Sequence, residues 1–302
     1  MYGRREVLRA GAAIGLLAAS PWLSAAAPAS MLSRPIPSTD ERLPVIGAGT
    51  SGSFEVAAGS ADYRQLYQAL EAFFAGGGRV IDTSPNYGGA DSILGQLLDE
   101  GGWHRQCFIA TKIAANSRAD AQAQWAGTLR SLRTDSVDLL KVHNLRDWQQ
   151  QLPYARELKQ QGKTRYVGIT HYLNAGHDEV AAIVRSQALD FIQINYAVNA
   201  PGAARELLPL CRDKGVAVLI NRAFDDGRLF ATVKDRALPE WAQEQGIGSW
   251  AQLFLKFALS HPAVTAVIPA TGRLDRQLDQ LKAGQGPLLT QAQQQALIEQ
   301  FS

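Results

Sequence analysis

Short runs rich in β-branched and apolar residues recur along the chain after residue 30, and amphipathic helical patterns separate them. A chain that alternates strand and helix in this way builds a parallel sheet, because each helix returns the chain to the edge where the next strand starts. Eight such units in about 270 residues predict a closed (β/α)8 TIM barrel that occupies residues 30–302 as one domain. The predicted strands are 45–49, 79–82, 107–111, 138–143, 166–170, 191–195, 217–221 and 266–268.

The composition of the 302-residue chain supports a large core and excludes several functions. Hydrophobic residues make up 46% of the chain, which is typical of a globular domain. The net charge of +2 is carried by the first nine residues, so the remainder offers no basic field for nucleic acid. The two cysteines, Cys107 and Cys211, are too few and too far apart for a disulfide scaffold or a sulfur-ligated metal site, and no metal is predicted.

The first 29 residues have the order of a targeting segment. Arg4 and Arg5 precede a broken apolar stretch over 10–23, and alanines follow. This order resembles a twin-arginine signal peptide, which implies export of the folded protein by the twin-arginine machinery. We therefore predict cleavage between Ala26 and Ser30 and a periplasmic location. No stable membrane anchor is expected, since the stretch is shorter than the roughly 20 residues that span a bilayer; a retained anchor is the alternative.

A glycine-rich segment at 47–52 is also compatible with a different fold. It reads G-x-G-x-x-G directly after the first predicted strand, and Asp82 ends the next strand, as in a dinucleotide-binding Rossmann unit. In that unit the third glycine opens a helix whose N-terminal amides meet the pyrophosphate. Here the helical pattern is delayed to about residue 62. This delay favours the barrel and leaves the Rossmann fold as the alternative.

Four polar residues end or follow predicted strands and would meet at one mouth of a barrel. Asp82 ends the second strand, Tyr87 lies in the loop after it, Lys112 ends the third strand, and His143 ends the fourth. An ammonium favours a nearby phenolate, so Lys112 is expected to lower the pKa of Tyr87 and make it a proton donor near neutral pH. Asp82 would hold Lys112 in place, and His143 would donate a hydrogen bond to a substrate carbonyl.

These residues, in this order, resemble the aldo-keto reductases over residues 43–300. The resemblance implies that Asp82, Tyr87, Lys112 and His143 form a catalytic tetrad. It also implies reduction of an aldehyde or ketone to an alcohol by direct hydride transfer, with NADP(H) as cofactor and Tyr87 as general acid. A non-catalytic barrel that binds nucleotide as a structural or sensing module is the alternative. The matching segments are Gly49-Thr50, Asp82-Thr83, Tyr87-Gly88, Leu94-Gly95, Ala110-Thr111-Lys112, Asp138-Leu139, His143-Asn144, Val167-Gly168-Ile169, Gln193, Asn195-Tyr196 and Ile268-Pro269.

The resemblance also implies a site for the nicotinamide end of the cofactor. Thr170 and His171 after the fifth strand and Gln193 on the sixth would hold the carboxamide, with His171 in place of an asparagine. Where many members place an aromatic ring, this chain has Asn221 and Arg222, and the guanidinium would contact the pyrophosphate or lie beside the ring. Gly49 and Thr50 complete this part of the site. Residues that would wall the substrate pocket or pack in the core are Phe54, Trp148, Tyr172 and Phe224.

The segment after the eighth strand would hold the phosphate and adenine end. By resemblance, Arg276 takes the position of the arginine that binds the adenosine phosphate, and a guanidinium there favours NADP(H) over NAD(H) because it neutralises the 2′-phosphate. Asp279 and Gln280 take the acidic and amide positions that face the adenine, and Thr271 joins this site. Ala270 replaces a lysine found in part of the family, which removes one phosphate contact.

Overall fold

Residues 30–301 are described by a computed structural model, in which eight parallel strands form a nearly closed barrel surrounded by helices. The predicted (β/α)8 TIM barrel is confirmed, and each predicted strand overlaps an observed one. The predicted signal peptide and its cleavage site at the boundary with residue 30 lie outside the described residues. The strands are β1 (Ser33–Pro35), β2 (Arg42–Pro44), β3 (Ala48–Gly49), β4 (Val80–Asp82), β5 (Phe108–Ile113), β6 (Val137–His143), β7 (Thr164–Thr170), β8 (Phe191–Asn195), β9 (Ala217–Asn221) and β10 (Ala266–Val267).

The barrel closes between its first and last strands, β3 and β10. Strands β3 to β10 are neighbours in chain order, and parallel bridges from Ile46 to Val267 and from Gly49 to Ala270 join the ends of the sheet. Glycine is required at position 49 because an added Cβ would lie 2.9 Å from the Ile268 carbonyl oxygen. The alternative Rossmann fold is wrong, since the glycine-rich segment ends a barrel strand and the next helix begins only at Ala61.

Helices follow the strands around the outside of the barrel. Serine side chains cap the N-termini of three of them, with Ser60, Ser117 and Ser249 each accepting a hydrogen bond from a backbone N–H. The amphipathic pattern over 291–301 predicts a final helix, which the structure confirms, and its Phe301 packs on Trp250 and Phe254. The helices are α1 (Ala61–Ala75), α2 (Ala90–Gly101), α3 (Arg118–Leu132), α4 (Trp148–Gln160), α5 (His177–Ser186), α6 (Leu207–Asp213), α7 (Arg228–Thr232), α8 (Glu240–Glu244), α9 (Trp250–Ser260), α10 (Leu274–Lys282) and α11 (Gln291–Phe301).

An antiparallel hairpin of β1 and β2, which the sequence analysis did not identify, precedes the barrel. Its Ile36 and Leu43 are fully buried in the apolar cluster inside the barrel. Arg34 on β1 donates to the carbonyl oxygens of Leu259 at 2.6 Å and His261 at 2.9 Å, which ties the hairpin to the end of α9. Because Ile36 and Leu43 enter that cluster, the hairpin covers the end of the barrel opposite the carboxyl ends of its strands.

The core consists of two layers separated by the sheet. One lies between strands and helices, and the other fills the lower interior of the barrel with side chains such as Phe108, Tyr166 and Phe191. Toward the carboxyl ends of the strands, the interior changes from apolar to charged. Within residues 30–301 no helix is both long enough and apolar enough to cross a membrane.

Candidate active site

Side chains from neighbouring strands converge inside the barrel near the carboxyl ends. Strand residues alternate between the two faces of a sheet, so positions two apart point to the same side. Asp82 ends β4, Lys112 lies near the end of β5, and His143 ends β6, two residues after Lys141. Lys112 and Lys141 are register partners on adjacent strands. The parallel topology thus brings separate polar residues of the sequence into one layer.

Asp82 and Lys112 form a buried ion pair, as predicted. The Lys112 Nζ lies 2.8 Å from Asp82 Oδ2 and donates a second hydrogen bond to the Thr83 carbonyl oxygen at 2.7 Å. Burial opposes the charge on Asp82, but the ammonium groups of Lys112 and Lys141 outweigh it and lower the pKa of this carboxyl. Burial likewise opposes the charge on Lys112, and its pKa is still raised by Asp82 and Tyr87. Both groups therefore stay charged at neutral pH.

Tyr87 lies above this pair at the edge of the cavity. The Lys112 Nζ is 4.8 Å from the centroid of its ring, and the His143 ring stands edge-on to it at 5.9 Å. The expectation that Lys112 lowers the pKa of Tyr87 below its ordinary value is wrong. Burial raises the pKa of Tyr87, and the Lys112 ammonium offsets only part of this increase. Tyr87 consequently keeps its proton at neutral pH and is a donor rather than a phenolate.

His143 is a neutral imidazole at every pH near neutrality. Burial, aided by the charge of Lys112, lowers the pKa of His143 to about 3. Its Nδ1 lies 3.2 Å from Ser84 Oγ, which itself accepts a hydrogen bond from the backbone N–H of Asn86. We assign the Ser84 hydroxyl as donor to Nδ1, which leaves the proton on Nε2 as a hydrogen-bond donor for the cavity. Ser84 was missed from the sequence, where a serine after a strand carries no signal for this role.

A cavity of about 800 Å³ opens at this end of the barrel and brings together most of the predicted site residues. His171, Thr271, Asp279 and Gln280 lie outside its lining. Four aromatic residues were predicted to wall the substrate pocket or pack in the core. Tyr172 and Phe224 line the cavity, whereas Phe54 is buried in the core and Trp148 packs against the core. The predicted site residues that line the cavity are Gly49, Thr50, Asp82, Tyr87, Lys112, His143, Thr170, Gln193, Asn221, Arg222 and Arg276.

Polar groups without protein partners remain in the lining. The Oδ1 atom of Asn221 is buried and has no hydrogen-bond partner among residues 30–301. The exposed guanidinium of Arg276 forms no ion pair with any described residue. A buried acceptor and an uncompensated cation on the walls of one cavity are the groups that a polar, anionic ligand would satisfy.

Arg222 occupies a different environment, at the end of β9. Its backbone has φ 52, in the left-handed region, and its side chain pairs with Asp226 at 2.8 Å and Asp225 at 3.2 Å. The guanidinium also lies 5.5 Å from the centroid of the exposed Tyr172 ring. Arg222 and Tyr172 therefore pack on each other in the cavity lining, to which Phe224 also belongs.

Three of the four predicted residues outside the lining have side-chain hydrogen bonds within the protein. Asp279 on α10 accepts hydrogen bonds from Ser249 Oγ at 2.5 Å and Gln252 Nε2 at 2.6 Å, which joins α10 to α9. Thr271 Oγ1 accepts from the backbone of Arg273 at 3.2 Å. His171 forms a hydrogen bond within its own loop, to Leu173. The Gln280 Oε1 atom is buried without a partner in the described chain. Their cofactor roles stay predictions.

Lys141 was missed entirely by the sequence analysis. It is fully buried in the middle of β6, where its ammonium donates to both Asp82 Oδ1 and Gln193 Oε1. A signal was available, since a lysine within the otherwise apolar run Leu139, Leu140, Val142 is unusual for a strand buried on both faces.

Comparison with known proteins places the chain in a family. The profile of the aldo/keto reductase family matches residues 45–300. The NADH-specific methylglyoxal reductase of Escherichia coli is 26% identical over 251 residues, which cover 72% of this chain and 74% of that protein. L-galactose dehydrogenase of Arabidopsis thaliana is 29% identical over 225 residues, or 69% of each chain.

A solved structure gives the same fold. The crystal structure of an aldo/keto reductase from Klebsiella pneumoniae in complex with NADP and acetate superposes with a TM-score of 0.74 at 24% identity, covering 87% of this chain and 93% of that one. Since the family profile spans most of the sequence and the barrel is shared, the chain belongs to the aldo/keto reductase family.

Proposed function

We propose that this protein reduces an aldehyde or ketone to an alcohol with NADP(H) as cofactor. The observation that carries the proposal is the convergence of Asp82, Tyr87, Lys112 and His143 on one cavity whose rim holds the unpaired Arg276. A module that only binds nucleotide has no use for a buried charged pair beneath a protonated tyrosine. The intact tetrad therefore favours the catalytic function.

The cavity residues fit the cofactor. The unpartnered Asn221 Oδ1 and the side chain of Thr170 would hold the nicotinamide end, and Arg276 at the start of α10 would hold the 2′-phosphate. When bound, the reduced nicotinamide supplies a hydride to the carbonyl carbon. NADP(H) is favoured over NAD(H) because Arg276 has no competing carboxylate partner in the described chain.

Side chains of the protein bind and protonate the carbonyl oxygen of the substrate. His143 donates from Nε2 to that oxygen and orients it, while Tyr87 gives its hydroxyl proton to the same oxygen as negative charge develops there. The Lys112 ammonium, held by Asp82, stabilises the phenolate that forms. Tyr172, Phe224 and Phe230 line the outer part of the cavity with aromatic surface and limit the access of water.

Turnover tests this proposal. Purified protein is incubated with NADPH and a panel of carbonyl compounds that includes methylglyoxal and aromatic aldehydes, and the loss of NADPH absorbance is followed. We expect reduction by the wild type and a fall of about 100- to 10,000-fold in Tyr87→Phe, because the proton donor is lost. NADPH binding should persist in that variant. Equal rates for both proteins would overturn the assignment of Tyr87.

We further propose that the folded protein is exported to the periplasm. The support is the order of the first 29 residues, with Arg4 and Arg5 before the apolar stretch. Processing between Ala26 and Ser30 would retain the hairpin, which begins at Ser33. In a bacterial host, the Arg4→Lys, Arg5→Lys double variant should remain in the cytoplasm while the wild type fractionates with the periplasm. Identical fractionation would contradict export by this route.

A further inference from the structure

A closed ring of hydrogen bonds lies beneath the cavity and joins Lys141, Asp82 and Gln193. The Lys141 ammonium donates to Asp82 Oδ1 and to Gln193 Oε1, and Gln193 Nε2 donates to Asp82 Oδ2 at 3.2 Å. Because an ammonium only donates, it fixes the Gln193 amide with its oxygen toward Lys141. The same Asp82 Oδ2 accepts from Lys112, so a single carboxylate faces two lysines.

Lys141 is not needed to neutralise Asp82. Lys112 already provides one positive charge for the one carboxylate, and Lys112, Lys141 and Asp82 are all at least 97% buried. A second ammonium in this position is a net penalty to folding, since burying a charge without its own counterion is unfavourable. An apolar side chain would fill the same part of β6 without that penalty. The excess positive charge therefore indicates that Lys141 has a role in function rather than in stability.

We propose that Lys141 is a positioning residue of the reductase site, which holds Asp82 and Gln193 and supplies a second positive charge beneath the reacting groups. The inference rests on the proposed function. A positive charge there favours the phenolate that Tyr87 leaves after proton transfer. It also disfavours the cationic ring of NADP⁺ relative to the neutral ring of NADPH, and so promotes release of the oxidised cofactor.

The charge should be lost in alkaline solution. Lys141 is faced by Asp82 from β4, Lys112 from β5 and Gln193 from β8, with neutral His143 on its own strand. Burial lowers the pKa of Lys141 to about 8, assisted by Lys112 and opposed by Asp82. The pKa values of Lys112 and Tyr87 are raised instead. Near pH 8 the site therefore loses the proton of Lys141 while its other donors keep theirs.

Nucleotide binding tests this inference without turnover. Dissociation constants of NADP⁺ and NADPH are measured by fluorescence titration from about pH 6.5 to 9.5, a range that brackets the pKa of about 8. In the wild type we expect NADP⁺ to bind about 10-fold more tightly above this pKa than below it, with NADPH nearly unchanged. This measurement needs no variant. An NADP⁺ to NADPH ratio that stays constant with pH would overturn the inference.

Two substitutions and a matched control complete the test. Lys141→Met removes the ammonium, and Lys141→Gln keeps a hydrogen-bond donor for Asp82 without the charge. In both variants the ratio of the NADP⁺ and NADPH dissociation constants should be independent of pH near 8. Lys256 is the control, because burial also lowers its pKa to about 8 and it donates only to the carbonyl oxygens of Gln285 and Pro287.

The control variant, Lys256→Met, should keep the wild-type pH dependence. Wild-type behaviour of both Lys141 variants would overturn the inference, as would loss of the pH dependence in Lys256→Met. Failure of the wild type and of Lys256→Met to bind either nucleotide is a distinct result, which would overturn the proposed function and this inference with it.

Discussion

Asp82 is the residue on which the site depends most, because two buried ammonium groups share its carboxylate. Replacing Asp82 by asparagine leaves both Lys112 and Lys141 without a counterion. We expect the free energy of unfolding to fall by about 3–5 kcal/mol, the range for breaking a buried pair. Lys112→Met should cost less, since Lys141 still neutralises the carboxylate. Urea unfolding of the three proteins gives the comparison.

The exposed pair of Arg185 and Glu206 provides the control for that prediction. Surface ion pairs contribute little, so Glu206→Gln should change the unfolding free energy by less than about 1 kcal/mol. If Asp82→Asn lost no more unfolding free energy than Glu206→Gln, the contacts of Asp82 with Lys112 and Lys141 would not stabilise the fold.

A second prediction concerns His143 and the dependence of stability and of kcat on pH. Its folded pKa of about 3 lies below its usual value of 6.5, so between these values the unfolded imidazole takes up a proton that the folded one does not. The free energy of unfolding should therefore decrease as pH falls through this window, and less steeply in His143→Gln. The kcat of the wild type should show no inflection near pH 6.5. An inflection there that is absent from His143→Gln would contradict the neutral imidazole.

Part of the site could be predicted at the residue scale and part could not. Asp82, Tyr87, Lys112 and His143 each end or follow a strand, and a barrel topology brings such positions together. The pKa of Tyr87 was predicted in the wrong direction, because burial depends on the depth of the cavity, which a sequence does not contain. Lys141 was missed because it lies inside a strand, two residues before its end.

At the scale of elements, α10 connects the cofactor region to the outer layer of helices. Asp279 fastens α10 to the N-terminal end of α9, while Arg276 in the first turn of α10 lines the cavity. The two residues lie about one turn apart, so the first turn of α10 is open to a ligand while the next turn is held against α9. This division explains why Asp279, predicted from resemblance to face the adenine, lies outside the cavity lining.

Arg276→Ala should weaken NADPH binding about 10- to 100-fold, because a charge-assisted contact to phosphate contributes about 1.5–3 kcal/mol. NADH, which has no 2′-phosphate, should bind the variant as it binds the wild type. Arg273→Ala is the matched control, since Arg273 is exposed, pairs with Asp275 and lies outside the cavity lining. Fluorescence titration with both nucleotides measures all three proteins. Equal losses for NADPH and NADH would contradict a phosphate contact by Arg276.

The elements themselves were predicted well where periodicity is strong. Helix α11 matches the helical pattern over 291–301. The pattern over 203–213 predicts α6, which begins four residues later, at Leu207, because a 3₁₀ turn over Pro201–Ala204 precedes it. The hairpin of β1 and β2 was missed, since each strand has three residues and its partner contacts are set by the end of the barrel. Short strands lack the alternation from which a prediction is made.

At the scale of the whole molecule, the two ends of the barrel have separate tasks. The hairpin closes one end with Ile36 and Leu43, and loops with left-handed backbone at Asn144 and Arg222 surround the cavity at the other. Left-handed backbone thus occurs in loops at the end where ligands would bind, and the apolar packing of the hairpin lies at the opposite end.

Removal of the hairpin should destabilise the entire barrel rather than the site alone. A chain that begins at Val45 exposes the apolar interior and loses the bonds of Arg34, so we expect a large fall in Tm with loss of a single cooperative transition. A chain that begins at Ser30 should unfold like the full-length protein. Calorimetry of both chains measures this. Equal Tm values would show that the hairpin does not hold the barrel closed.

In the proposed reaction, NADPH bound in this cavity supplies a hydride to the carbonyl carbon while Tyr87 protonates the oxygen. The most direct test of this reaction is a single turnover with NADPH deuterated at the hydride position of the nicotinamide, followed by mass spectrometry of the alcohol formed from methylglyoxal or an aromatic aldehyde. We expect an alcohol with one deuterium on the former carbonyl carbon from the wild type, and almost none of it from Tyr87→Phe. An alcohol without deuterium, or the same yield from both proteins, would contradict the proposed reaction.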